Sequence, residues 1–201
     1  MHVRLGKSPL VALMATVGLG LAVGAASANM LSVSETTFVA RFSALRVIAA
    51  GHTIECATTL EGPLSNPMFK SGTVGRIIFV EVRSCTGGTV TVLNASLPWT
   101  VSYVSFEGSL PNITGLRVDV IGLSARVRPT GESIECLAAS TITSPAYFNF
   151  GVSGGRVTGL RADERAGIPL SGGLCGLAGN ATLAGTGTVT NGISSITLTL
   201  I

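Results

Sequence analysis

The residues of this chain that could do chemistry are few. Outside the first 28 residues there are four cysteines, one histidine and a handful of carboxylates. Cys56 and Cys136 end two copies of one phrase, GHTIEC (51–56) and GESIEC (131–136). Each is followed by one more cysteine, Cys85 after 29 residues and Cys175 after 39. Each second cysteine is followed by a matching phrase, Asn94-Ala95-Ser96-Leu97 and Asn180-Ala181-Thr182-Leu183. Two similar units, each with its own bridge, predict Cys56–Cys85 and Cys136–Cys175. In the chain-entropy account, loops of this size stabilise a fold by roughly 3–4 kcal/mol each. No pair has the Cys-x-x-Cys spacing of a metal or redox site, so no metal or cofactor is expected.

His52 is the histidine that a Ser-His-Asp arrangement would have to use, with Asp119 or Asp163, and no Gly-x-Ser-x-Gly elbow accompanies it. No catalytic residue is therefore assigned, and His52 reads as a surface residue beside the first bridge. Glu55 and Glu135 would suit glycoside hydrolysis if they faced one another across a cleft. Strand alternation gives a plainer expectation, with Ile54 and Cys56 inward and Glu55 in solvent. Asp163 and Glu164, in RADERAG, lack the regular acidic spacing of a calcium loop and read as a solvated turn. Six of the aromatics fall in two clusters, Trp99, Tyr103 and Phe106, and Tyr147, Phe148 and Phe150. Large aromatics usually fill cores. Were they exposed, Trp99, Tyr103 and Tyr147 would form a platform for a sugar or peptide.

The strands that would carry these residues follow an N-terminal address segment. MHVRLGK carries Arg4 and Lys7, an apolar run follows, and Ala26-Ser27-Ala28 closes it. That order predicts a secretory signal over 1–28, cleaved before Asn29, with no transmembrane span left behind. An exported chain with an even number of cysteines fits a disulfide framework and a secreted or cell-surface location. Without Arg4 and Lys7 the chain carries eleven basic and ten acidic residues, a charge of +1. Such a balance leaves no electrostatic footprint for nucleic acid.

Residues 29–201 are predicted to form a single all-β domain. Glycines, threonines and β-branched residues dominate it, and helix signals are nearly absent. Asn191-Gly192, between alternating runs, predicts a C-terminal hairpin that sets Leu198 opposite Gly185 and buries Ile196, Leu198 and Leu200. Gly154-Gly155 predicts a second hairpin, with Val152 opposite Val157 and Phe150 opposite Gly159. WTVSYVSF and ITGLRVDVIGLSARV are strands joined near Pro111-Asn112. The apolar parity switches from Val118 and Val120 to Leu123, Ala125 and Val127, which predicts a bulge or bend near Gly122. RIIFVEV (76–82) is a strand with Ile78, Val80 and Val82 on one face, and 38–48 is ambiguous between strands and a short helix. The sum is an antiparallel β-sandwich or barrel of roughly 9–11 strands with two disulfides. An internal duplication, with halves meeting near 112, is the lesser alternative.

From LPWTVSYVSFEGSLPNITGL through VSGGRV, SGGLC and GTGTVT to ITLTLI, the chain resembles secreted β-rich proteins of actinobacteria, a group with no established activity. The resemblance covers roughly residues 53–201. It implies export, disulfides and a β-fold, and it implies no site. The expected function is a non-enzymatic cell-surface binding or structural protein, with cell-wall glycan or another surface protein as partner. A secreted hydrolase and an envelope pore subunit are the alternatives.

Overall fold

The computed structural model describes residues 30–109, 111–162, 167–172, 175 and 179–201. The predicted signal segment, Asp163 and Glu164 lie outside them. The strands in chain order begin with β1 (Met30–Val33), β2 (Thr37–Ala49), β3 (His52–Pro63) and β4 (Met68–Phe69). There follow β5 (Thr73–Ile77), β6 (Phe79–Thr86), β7 (Gly88–Val92), β8 (Trp99–Ser109) and β9 (Asn112–Ile121). The last seven are β10 (Ser124–Pro129), β11 (Cys136–Ala139), β12 (Ala146–Ser153), β13 (Arg156–Ala162), β14 (Ile168–Ser171), β15 (Asn180–Thr190) and β16 (Leu198–Leu200).

All the ladders are antiparallel, and the longest segments form a ring. β2 pairs with β3, and β3 with β6. β5, separated from β6 by one residue, pairs with β8, and β8, β9, β12, β13 and β15 follow in turn. β15 then pairs with β2, so the sheet closes on itself. Strands from both sides of residue 112 are needed for this closure. The long connections at one end form a second layer, β7–β10–β11–β14, which joins β15 through β14. The three short strands β16–β1–β4 cover the other end. The side chain of Asn66 holds β1 there, donating from Nδ2 to the Val33 carbonyl at 2.9 Å.

The sixteen strands among the described residues exceed the predicted nine to eleven because runs break where the chain changes partner. RIIFVEV splits at Ile78. Ile77 is buried, whereas Ile78 is 57% exposed and donates its N–H to the Glu61 carbonyl. The expected inward Ile78 is therefore corrected; Val80 and Val82 do pack against the core. The parity switch at Gly122 marks the crossing from β9, in the ring, to β10, in the second layer. Buried Ser140 braces that crossing, accepting from the Leu123 N–H at 2.9 Å and donating to the Val120 carbonyl at 3.0 Å. The ambiguous stretch 38–48 lies within β2. Its inward set is Phe38, Ala40 and Phe42, then Leu45, Val47 and Ala49, because a bulge at Ser43-Ala44 inverts the parity.

Two hairpins need correction. The Gly154-Gly155 turn is present and Val152 faces Val157, but a bulge sets Phe150 opposite Leu160 and Gly151 opposite Gly159. At the C-terminus Thr190 bridges Ser195, and the Asn191 N–H donates to the Ser194 carbonyl. The chain then leaves β15, whose edges are taken by β2 and β13, and β16 pairs with β1 instead. Ile196 and Leu198 are still buried and Leu200 is half-buried.

Both disulfides have the expected partners. Cys56–Cys85 ties neighbouring strands β3 and β6, and Cys136–Cys175 ties β11 to the loop after β14. The repeated phrases thus occupy different settings, one in a long ring strand and one in the short second layer. The core holds two apolar voids of about 60 and 50 Å³. The larger lies between the second layer and the ring, and the smaller lies under the β1 and β16 end. Phe42 and Phe148, with ring centroids 6.1 Å apart, pack near the ring's middle. Val118, opposite both Phe148 and Tyr103, brings Tyr103 to the same level.

Candidate functional site

The aromatic platform is not assembled. Trp99 (3% exposed) and Tyr103 (0%) point into the ring, and only Tyr147, half-buried, faces outward. Alternation explains the split. Trp99, Val101 and Tyr103 share the inward parity of β8, whereas Tyr147 lies between inward Ala146 and Phe148. Trp99 donates its indole N–H to Ser96 Oγ at 2.9 Å. Tyr147 carries the Arg117 guanidinium over its ring, 4.1 Å from the centroid.

The Tyr103 hydroxyl has no hydrogen-bond partner among the described residues, and burial raises its pKa. A desolvated, unpaired hydroxyl opposes folding. Tyr103→Phe is therefore expected to stabilise the protein by about 1 kcal/mol in urea melts. A comparable loss would mean that the hydroxyl is bonded in solution.

The other candidates lie apart. His52, at the β2–β3 turn, meets Glu132 at 3.8 Å, both partly exposed. Glu55 stands on the outer face of β3 opposite Arg46. Glu135 pairs with Arg126 at 3.4 Å on the outer side of the second layer. Core residues of both layers line the larger void, so these carboxylates project from opposite sides of the sandwich. Asp119 lies on the outer face of β9, between Ser102 and Tyr147, away from His52. Burial raises its carboxyl pKa, and the nearby Arg117 charge only partly offsets that. Among the described residues no group of three or more His, Cys, Asp or Glu could hold a metal ion.

A different site emerges on the outer face of the ring. Register shifts occur at one level in three adjacent pairings: at Ser43-Ala44 between β2 and β3, at Gly185-Thr186 between β15 and β2, and next to Cys56 between β3 and β6. Side-by-side bulges bend all four strands together and leave a transverse crease of about 650 Å³. Its outward lining includes Arg41, Thr59, Glu81, Arg83, Thr186 and Thr188, with Ser43 and Ala57 between them. Arg83 pairs with Glu81. Arg41 has no carboxylate within ion-pair distance among the described residues. Ser84, beside the crease, has φ +50°, a conformation unusual for a residue with a side chain.

Glycine makes this geometry possible. A Cβ at Gly187 would lie 2.5 Å from the Arg41 carbonyl oxygen, and one at Gly185 would lie 2.8 Å from that of Ala44. A second hollow of about 370 Å³, lined by Arg46, Glu55 and Arg161, shares Thr186 with the first. Sequence reasoning missed the crease. Its available signals were the parity switch in β2 and the two β15 glycines.

No family model, curated protein or solved structure matches the chain.

Proposed function

We propose that the protein is an exported, disulfide-bonded binding domain, working at the cell surface, whose ligand lies in the crease across β15, β2, β3 and β6. The crease carries this reading. It is concave, solvent-open and edged by side chains that can hydrogen-bond an incoming ligand, and it is built by coincident bulges of the kind that re-aim side chains at sites. Two disulfides, with no helix among the described residues long and apolar enough to cross a membrane, are compatible with work outside the cytoplasm. The amino-terminal Arg4, Lys7, apolar run and Ala26-Ser27-Ala28 support export. The ring turns aliphatics inward and Arg, Glu and Thr outward, the reverse of a membrane-spanning barrel, which favours a binder over a pore subunit. The separation of Glu55 from Glu135 favours a binder over a two-carboxylate hydrolase.

A pull-down with purified cell-wall glycan tests the reading. The disulfide-intact protein should be retained, and Thr188→Trp, which fills the crease from an exposed position, should abolish retention. Equal retention of both proteins would place the contact elsewhere.

A further inference from the structure

We infer that the crease selects an anionic glycan, one whose sugars carry carboxylate or phosphate groups. The inference rests on the binding reading above and names its ligand class. Among the described residues, six charged ones surround the crease and its adjoining hollow: Arg41, Arg46, Arg83 and Arg161 against Glu55 and Glu81. Their sum is +2, while the other described residues carry six basic and six acidic side chains and sum to zero. Among the described residues the excess positive charge is thus gathered at one place.

Guanidinium is suited to such a ligand. Its planar fork of donors matches carboxylate and phosphate oxygens in pairs, and it is weakly hydrated. Arg41 and Arg83 stand on opposite sides of the groove, on β2 and β6. Thr59, Thr186 and Thr188 place hydroxyls between and beside them, able to donate to and accept from sugar hydroxyls. The two hollows meet at Thr186, so the path suits several sugar units rather than one. Neutral sugars are commonly held by an exposed aromatic face. Here the one aromatic lining residue, Phe42, is turned into the core at 2% exposure. Charge and hydroxyls remain as the means of recognition.

Glu81 adds a check of opposite sign. It pairs with Arg83 and would repel an anion, so removing its charge should strengthen binding where removing Arg41 weakens it.

Isothermal titration against polygalacturonate, a phosphorylated mannan and neutral dextran tests this. At low salt the anionic polymers should bind at least about tenfold more tightly than dextran. The two of them distinguish carboxylate from phosphate as the preferred group. Arg41→Ala should weaken the tighter one about tenfold, and Glu81→Gln should tighten it about threefold. Molar salt should loosen it by screening exposed charges. Arg128→Ala, an equal change of charge in the second layer, should leave affinity unaltered. Dextran bound as tightly as the polyanions, or Arg41→Ala and Glu81→Gln both indistinguishable from the parent, overturns the anionic class but leaves the binding reading standing. Failure to bind all three polymers, with no retention on cell-wall glycan, ends both.

Discussion

Gly62→Ala is expected to destabilise the protein by about 3 kcal/mol or more, far beyond an ordinary surface change. Gly62 lies near the end of β3, opposite Phe38, where β5 crosses closest to it. A Cβ there would lie 1.7 Å from the Arg76 carbonyl oxygen, 2.9 Å from its carbon and 3.3 Å from Ile77 Cα. All three are backbone atoms, so no rotamer change relieves the clash. Either β3 or β5 must move, and this contact helps close the ring. The Ile78 N–H donates to the Glu61 carbonyl at 2.9 Å next door, and Leu64 bridges Gly75 just beyond. A separation of the two strands would strain both links. Thermal unfolding should show a midpoint lower by about 6–12 °C for a chain of this size. Gly159→Ala is the matched control. Its Cβ would meet the Gly187 carbonyl oxygen at 3.5 Å, an ordinary contact, and should cost well under half as much. If Gly62→Ala melts like the parent, β5 does not approach β3 as described and the ring is open at that seam.

What was legible in the sequence is what local pattern controls. The all-β class followed from alternation and turn residues. The pairing Cys56–Cys85 and Cys136–Cys175 followed from a repeated phrase with a repeated sequel. Gly122 was readable as a bend because the apolar parity on its two sides cannot be satisfied by one straight strand. The Asn191-Gly192 hairpin failed for the complementary reason. The turn signal is local, whereas the edges of β15 are taken by β2, about 140 residues away, and by β13. Both edges of β15 are taken along residues 185–187, so past the Thr190–Ser195 bridge the returning chain turns to β13, where the Val157 N–H donates to the Ile196 carbonyl, and then to β1. Ring closure and the crease were hidden in the same way, since a bulge is a relation between two strands and each strand alone shows only a parity shift. Trp99 and Tyr103 could have been placed. They share the parity of Val101, and that set turns inward as one.

Leu198→Ala should cost roughly 2–5 kcal/mol, the usual range for truncating a buried leucine. Leu198 is 6% exposed although it lies near the end of the chain, where fraying is common. Three contacts hold it in place: pairing with Val33 of β1, an N–H to the Gly155 carbonyl at 2.6 Å, and packing beside Met68, Val157, Val189 and Ile196 around the smaller void. Truncation would enlarge a void of about 50 Å³ already present, and cost rises with the cavity left behind. Thr197→Ala is the contrast, and it should cost well under 1 kcal/mol. Thr197 is bound through its backbone, whose N–H donates to Ser34 Oγ at 3.0 Å, and alanine keeps that bond. Denaturant melts of both variants decide the matter. Equal, small losses would mean that β16 does not close the core, and that end of the ring would need another cover.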